Sequence, residues 1–123
     1  MIIEIDFNSG EAIYKQLRNQ IVLGIANNQF CEGQSLPSVR QLADDIGVNM
    51  HTVNKAYSIL KQEGYLKLDR RHGAVISVDS RKDEEMESIL REMKLIIARG
   101  ICKGVSEQEM MEVVSEVYDY FRK

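Results

Sequence analysis

The apolar positions between residues 38 and 64 predict two short helices joined by a tight turn. In the first helix they follow a helical i, i+3, i+4, i+7 spacing, at Val39, Leu42, Ala43 and Ile46. Ser38, followed three residues later by Gln41, predicts a capping box at its start. Gly47 predicts its end, because glycine adopts a left-handed backbone conformation without steric cost. Asn49 can then cap the second helix.

The second predicted helix has two opposite faces. One face is apolar and consists of Val53, Ala56, Tyr57 and Leu60. The other repeats the same spacing with polar groups, at His51, Asn54, Lys55 and Ser58. The apolar face can pack on a core, while the polar face carries groups that suit base edges and phosphates. A solvated amphipathic helix would show the same pattern, but the short glycine-containing turn before it favours a helix-turn-helix.

The flanking segments predict a supporting helix and a β-hairpin. Apolar alternation over 1–7 indicates a short strand, and an amphipathic helix follows over about 11–28, with Asn8 or Ser9 as its cap. After the second helix the sequence predicts a strand at 65–68, a glycine-containing loop at 69–73 and a second strand at 74–78.

The tip of the predicted hairpin is basic. It carries Arg70, Arg71 and His72, which suit insertion beside a phosphate backbone or into a minor groove. A solubilising turn would have the same composition. Because the hairpin directly follows a helix-turn-helix, the pattern favours a wing that contacts DNA.

Beyond a polar linker at 79–83, the chain predicts two more helices, with a break bracketed by Gly100 and Gly104 and a capping box formed by Ser106 and Glu109. Two helices of about twenty residues cannot bury their wide apolar stripes on each other alone. The stripes must meet the N-terminal domain, a partner chain or both, and a symmetric dimer would present two recognition helices to two half-sites. The predicted dimer interface consists of Met86, Ile89, Leu90, Met93, Ile96, Ile97, Met110, Val113, Val114, Val117 and Phe121.

Composition limits the class of protein. The 123 residues fit one domain with an appendage, and the shares of 44% apolar and 28% charged residues are ordinary for a soluble globular chain. Residues 1–78 hold eight basic and eight acidic residues and residues 79–123 hold eight and eleven, so the net charge of −3 comes from the tail. No apolar run approaches a membrane span of about 18 residues, and the first seven residues do not resemble a signal peptide. We therefore expect a cytoplasmic protein that makes no membrane contact.

The reactive residue types are few and scattered. Cys31 and Cys102 form no CxxC pair, and with His51 and His72 they show no metal-ligand spacing, so we expect no metal and no cofactor. Two reduced thiols are the expected state, with a redox-sensing pair as the alternative. The sequence has no glycine-rich phosphate loop and no nucleophile–base motif, so we expect a protein that is not an enzyme.

Residues 10–78 contain a series of short motifs: IYKQL at 13–17, LPSVRQLA at 36–43, IGV at 46–48, TV at 52–53, KAY at 55–57, Leu60, EG at 63–64 and HG at 72–73. Together they resemble the winged helix-turn-helix of GntR-family bacterial transcription regulators. The short two-helix tail resembles the YtrA subfamily, without the larger effector-binding domain of other subfamilies. The resemblance implies a homodimeric repressor of its own operon, often one that encodes an ABC transporter. It also implies that Arg40, the recognition-helix residues Asn49, His51, Thr52, Asn54 and Lys55, and the wing residues His72 and Gly73 contact DNA.

The chain departs from the family pattern at four positions. The family often has arginine where this chain has Met50 and Asn54, glycine where it has Arg71, and a small hydroxyl residue where it has Ala74. Side chains that commonly read guanine are therefore missing. Our hypothesis is that Asn54 favours adenine, because an amide can bond the adenine N6 and N7 atoms together.

These observations predict a mainly α fold with a small β-hairpin (α+β), in which a winged helix-turn-helix domain (1–78) precedes a C-terminal two-helix dimerisation hairpin (79–123). The predicted function is sequence-specific regulation of transcription on a palindromic double-stranded DNA operator; the sequence identifies no effector ligand. A winged-helix adaptor that binds proteins and not DNA is the alternative, favoured by the acidic total charge. The predicted DNA-binding residues are Ser38, Arg40, Asn49, His51, Thr52, Asn54, Lys55, Arg70, Arg71, His72 and Gly73.

Overall fold

The computed structural model describes residues 3–122. Its elements in chain order are α1 (Ile13–Ala26), α2 (Val39–Ile46), α3 (Met50–Gln62), β1 (Leu66–Asp69), β2 (Gly73–Ile76), α4 (Lys82–Cys102) and α5 (Glu107–Arg122). They form two compact units, one that runs up to Asp79 and one that begins at Ser80. The predicted fold class, mainly helical with a small β-hairpin, is confirmed.

Helices α2 and α3 begin and end where the sequence predicted. The Ser38 hydroxyl accepts the backbone N–H of Gln41 at 3.1 Å, and the Asn49 side chain accepts that of His51 at 2.7 Å. Gly47 ends α2 with φ of 72°, a conformation that favours glycine. The predicted capping box is only half formed, because the Gln41 amide donates forward to Asp45.

The N-terminal segment is not a strand. In residues 3–6 the backbone has no strand partner, and the amides of Glu4 and Asp6 donate instead to the side-chain oxygens of Gln20 and Gln16, at 2.8 and 2.9 Å. The predicted strand over 1–7 is therefore wrong for the described residues; Met1 and Ile2 lie outside them.

Helix α1 begins later than predicted. It starts at Ile13, its N-cap is Ala12, and no side chain caps it, so the expected cap by Asn8 or Ser9 is wrong. The Ser9 hydroxyl accepts the N–H of Glu11 instead, which keeps residues 9–11 in a turn ahead of the helix.

The first unit encloses one hydrophobic core. Leu17 and Ile21 of α1, Val53 and Leu60 of α3, and Ile76 of β2 are almost completely buried at its centre. It is completed by Phe30, Leu36, Leu42, Ala43, Ala56, Tyr57, Leu66 and Ala74. Burying these side chains is the main stabilising contribution to the unit, because transfer of apolar surface out of water drives folding.

Strands β1 and β2 pair antiparallel, and a third segment joins them. Register pairs Leu66 with Ile76 and Asp69 with Gly73. On the other edge of β2, residues 33–36 return along the strand; the Leu36 N–H donates to Ala74 and the Gly33 N–H to Ile76, both at 2.8 Å. The hairpin is therefore attached at its base to the loop that precedes α2.

The second unit consists of α4 and α5. The expected break does not begin at Gly100, because α4 continues through it to Cys102 and turns at Gly104, where φ is 82°. A Cβ at Gly100 would lie 2.9 Å from the Met110 Cε, so the missing side chain serves the approach of α5 to α4 and does not end the helix. The predicted capping box is confirmed: Ser106 and Glu109 exchange two hydrogen bonds of 3.0 and 3.1 Å.

No described residue of α4 or α5 is buried. Of the predicted interface, Met93, Met110, Val114 and Phe121 are half-buried. Its other members are exposed, at Met86, Ile89, Leu90, Ile96, Ile97, Val113 and Val117. The hairpin thus leaves most of its apolar stripes in contact with solvent.

Candidate nucleic-acid interface

Helix α3 presents one face of polar side chains to solvent. Its apolar face packs on α1 and α2 through the buried residues Val53, Ala56, Tyr57 and Leu60. The Tyr57 hydroxyl donates to the carbonyl of Pro37 at 2.8 Å, and burial raises the pKa of this phenol. This contact fixes the start of α2 against the middle of α3. The predicted recognition residues Asn49, His51, Asn54 and Lys55 are all exposed on the other side.

The remaining helix-turn-helix residues of the predicted site differ in their accessibility. Ser38 and Arg40, at the start of α2, are exposed. Thr52 is half-buried, and its N–H donates to the carbonyl of Asn49 at 3.0 Å. Thr52 therefore supports the first turn of α3 as well as bordering its exposed face.

The wing tip is held in shape by one carboxylate. Asp69 accepts the backbone N–H groups of Arg71 and His72, at 2.7 and 3.2 Å, and lies 3.3 Å from the imidazole Nδ1 of His72. These backbone hydrogen bonds lower the pKa of Asp69, so the carboxylate stays charged near neutral pH. Gly73 closes the loop with φ of 71°. The side chains of Arg70 and Arg71 are exposed beyond this turn.

An open depression of about 440 Å³ lies between α3 and the base of the wing. It brings Asn54 and Ser58 of the predicted polar face together with residues that the sequence analysis did not select, namely Lys61 and Gln62 of α3 and Leu68 of β1. Leu68 was missed because only the polar residues of the hairpin were considered as DNA contacts; it is 66% exposed. The wing-tip residues 70–73 do not line this depression.

Two cations near the site are bound by neighbouring side chains. The Lys55 Nζ lies 3.9 Å from the centre of the Tyr14 ring of α1. The Arg18 guanidinium donates to both carboxylate oxygens of Glu63, at 2.8 and 3.1 Å, and stacks near Tyr65. Such contacts join helices that are distant in sequence, so periodicity could not predict them.

Three further properties of the described part of the chain concern metal binding, the cysteines and membrane spans. Among residues 3–122 no group of three or more His, Cys, Asp and Glu side chains is placed to hold a metal ion. Cys31 and Cys102 are both free and exposed. None of the described helices has the length and apolar character that a membrane span requires.

The fold and this surface define a winged helix-turn-helix, a class of DNA-binding module: a helix pair with an exposed recognition helix, followed by a hairpin with a basic tip. Comparison with known proteins specifies the family. The description "Bacterial regulatory proteins, gntR family" matches residues 9–76, and the chain belongs to this family.

The similarity to individual proteins extends through the second unit. The HTH-type transcriptional repressor YtrA of Bacillus subtilis is 32% identical over 119 residues, which cover 94% of this chain and 92% of that protein. The solved structure of YtrA from Sulfolobus acidocaldarius, a GntR-family transcription factor, is 37% identical with a TM-score of 0.61 and covers 98% of this chain and all of its own. A transcriptional antiterminator from Listeria monocytogenes has the same fold, with a TM-score of 0.88 at 24% identity, and covers 98% of this chain and 92% of its own.

The chain is therefore a YtrA-like, DNA-binding regulator of transcription. The expectation that it is not an enzyme is confirmed, because its relatives are named transcriptional regulators. The residues assigned to DNA and to the dimer interface remain predictions.

Proposed function

We propose that the protein acts in the cytoplasm as a homodimeric repressor of its own operon and binds a palindromic DNA operator. The observation that carries the proposal is the solvent exposure of the second unit. Thirteen large apolar residues of the described α4–α5 segment are exposed, and none is buried. A family member built to read DNA, with such a surface attached, fits a dimer that addresses two half-sites.

The dimer is supported by two apolar faces on α4. One face carries the predicted stripe from Met86 to Ile97, which includes the half-buried Met93. The sequence analysis missed the opposite face, where Leu95, Ala98 and Cys102 follow each other at helical spacing. Leu95 is 65% exposed. A helix with one neighbour needs one apolar face, so the second face favours contact with helices of another copy.

The energy available from this surface suits a stable dimer. Fully burying one Leu or Ile side chain contributes about 1.5–3 kcal/mol. These side chains are about half exposed, so each contributes about half of that amount. Covering most of the thirteen on both copies therefore outweighs the loss of translational and rotational freedom, which costs about 4–15 kcal/mol.

On DNA, the proposed arrangement places α3 in the major groove and the wing tip at the backbone or minor groove. Exposed Asn49, His51 and Asn54 face base edges in the first turns of α3, where recognition helices contact bases. Arg70 and Arg71 approach phosphates, with the Asp69 turn holding them in position. Residues 1–78 hold equal numbers of acidic and basic residues, so the local placement of these cations supplies the attraction.

Repression of its own operon, with an ABC transporter among the regulated genes, rests on the similarity to the YtrA repressor of Bacillus subtilis and on the subfamily resemblance.

The test is fluorescence anisotropy of the full chain with the DNA upstream of its own gene and with a scrambled duplex, at two salt concentrations. We expect preference for the upstream DNA by about a thousandfold or more, and log affinity that falls by about 0.9 per phosphate contact as log salt rises. Weak and equal binding to both duplexes would contradict autoregulation. If a genome-wide selection then also recovered no DNA, the adaptor function would replace the proposal.

Arg71→Ala tests the wing within the same assay. It should weaken binding to all duplexes evenly and lower the salt slope by about 1.8, because each of the two protomers loses one phosphate contact. The matched control is Lys94→Ala, an exposed cation of α4 that lies between its two apolar faces. A loss of affinity for one base position alone would make Arg71 a base reader and contradict the wing assignment.

A further inference from the structure

The first turn of α3 carries an exposed apolar side chain that the core does not use. Met50 is the first residue of the helix and is 43% exposed. The N-terminal residues of a recognition helix are those that meet base edges in the major groove. The one apolar group that the major groove offers is the C5 methyl of thymine.

Asn54 lies one helical turn after Met50 on the same face. Residues four apart are neighbours on a helix surface, so these two side chains form one ridge. Asn54 is exposed and borders the depression between α3 and the wing, where it has room for a ligand group. Its amide matches the N6 donor and N7 acceptor of adenine.

Lys55, the side chain on α3 best suited to bind guanine, contacts an aromatic ring of α1 instead. Arginine and lysine read the O6 and N7 acceptors of guanine, and Lys55 is the only such residue in the first two turns of α3. Its ammonium lies 3.9 Å from the centre of the Tyr14 ring. The attraction between a cation and an aromatic face holds the amine on α1, away from the ridge of Met50 and Asn54.

We propose that Met50 and Asn54 are a specificity pair that reads A·T base pairs at neighbouring positions of each half-site. The Met50 side chain packs against a thymine methyl, and the Asn54 amide bonds an adenine. This inference rests on the proposed DNA-binding function and adds the bases that α3 selects.

The experiment begins with selection of duplexes from a random pool by the full-length protein. In the selected site, each thymine is then replaced by deoxyuridine, which lacks only the methyl group. Each adenine is separately replaced by 7-deazaadenine, which lacks the N7 acceptor. Affinities for wild type, Met50→Ala and Asn54→Ala are measured by anisotropy, and circular dichroism checks that both variants fold.

For the wild type, we expect one thymine position in each half-site at which a single deoxyuridine weakens binding about fourfold, the factor for removing one buried methyl group. Replacement in both half-sites should weaken binding about sixteenfold. One 7-deazaadenine should weaken it about tenfold, because the Asn54 amide loses one of its two hydrogen bonds and an N–H donor is left without an acceptor. Met50→Ala should lose only the sensitivity to deoxyuridine, and Asn54→Ala only that to 7-deazaadenine. Leu23→Ala, which truncates an exposed apolar residue of α1, is the control and should keep both sensitivities.

A converse variant makes the inference sharper. Met50→Arg supplies a guanine-reading side chain at the same position, so selection should replace the Met50-dependent thymine by guanine while leaving the Asn54-dependent adenine unchanged.

The outcomes separate the two levels of the proposal. If the pool yields no enriched sequence, the proposed function fails, and the inference fails with it. If a sequence is enriched but neither replacement weakens binding, or the variants keep the wild-type sensitivities, the inference alone is overturned.

Discussion

In the unit up to Asp79, the apolar faces of α1, α2 and α3 meet in a single core, and fourteen hydrophobic residues are buried. In the unit from Ser80, stripes just as regular remain half or fully exposed, and no described residue is buried. The pattern along the sequence is similar, but three helices and a hairpin can enclose a core, whereas two helices cannot. Periodicity therefore shows that a helix has an apolar face to bury. The number of helices and strands in the unit decides whether the chain can bury that face by itself.

The largest effect should come from disrupting the proposed dimer contact that buries the apolar stripes of the second unit. The double variant Leu90→Glu/Ile97→Glu places two charges on the apolar stripe of α4. We expect the dissociation constant of the dimer to rise at least about a hundredfold, because two contacts of about 1.5–3 kcal/mol each are lost. Sedimentation velocity over a concentration series measures this.

The control for this variant is Ser115→Glu, which adds a charge at an exposed polar position of α5. A double variant as dimeric as the control, or a wild-type chain that is monomeric at every concentration, would contradict the interface.

The second prediction compares one leucine from each unit, in the monomeric background of that double variant. Leu60→Ala removes a completely buried side chain and should lower the free energy of unfolding by about 2–5 kcal/mol. Leu95→Ala removes one that is 65% exposed and should cost less than about 0.5 kcal/mol. Urea unfolding followed by circular dichroism gives both values. Equal losses of unfolding free energy in the two variants would contradict the difference in burial between the two units.

Two helical glycines give a third, smaller contrast. A Cβ at Gly24 would lie 2.3 Å from the buried ring of Phe30, so Gly24→Ala should destabilise by about 1–3 kcal/mol through overpacking. At Gly100 the nearest atom is the flexible end of Met110, at 2.9 Å. The methionine can move, and alanine is the better helix former by about 1 kcal/mol, so Gly100→Ala should be neutral or stabilising. Thermal unfolding of both variants measures the difference, and a costly Gly100→Ala would indicate rigid packing in the second unit.

The smallest effect concerns pH and the start of α5. Hydrogen bonds from the backbone N–H and the hydroxyl group of Ser106 lower the pKa of Glu109 in the folded chain. Because the folded pKa is lower than the unfolded one, the stabilisation is present above the unfolded pKa and is lost as pH falls through the folded pKa. Glu109→Gln should therefore reduce the loss of α5 helicity below about pH 4.3, the ordinary glutamate value.

The matched control for this small effect is Glu116→Gln on the same helix. Chemical-shift titration of α5 amides should show the wild-type acid response in the control and a weaker one in Glu109→Gln. Identical responses in the two variants would show that the cap does not depend on charge.

Local signals predicted the fold well where side chains act on their own neighbourhood. The caps at Ser38, Asn49 and Ser106 and the left-handed Gly47 were all identified from residues no more than three positions apart. The same reasoning failed at residues 3–6, because the backbone amides there are satisfied by glutamine side chains of α1, for which alternation gives no signal.

The candidate site was predictable in outline and not in its internal contacts. The polar face of α3 and the basic wing follow from periodicity and turn chemistry. The position of Lys55 over Tyr14 and the opening of the depression beside Leu68 depend on how α1 and β1 pack on α3. These arrangements join residues that are distant in sequence, and they alter which side chains are available to a base.

The backbone hydrogen bond from Leu36 to Ala74 has a topological consequence. It closes residues 36–74, which include α2, α3, β1 and the wing tip, into a ring. Contacts within the ring are mostly local and can form early in folding, whereas closing it carries the entropy cost of a long loop. We expect ring closure to be a late step, and the amides of Leu36 and Ile76 to exchange with solvent only when the whole unit opens. The DNA-reading segment would then form its helices and hairpin first and acquire its final shape only when the ring closes.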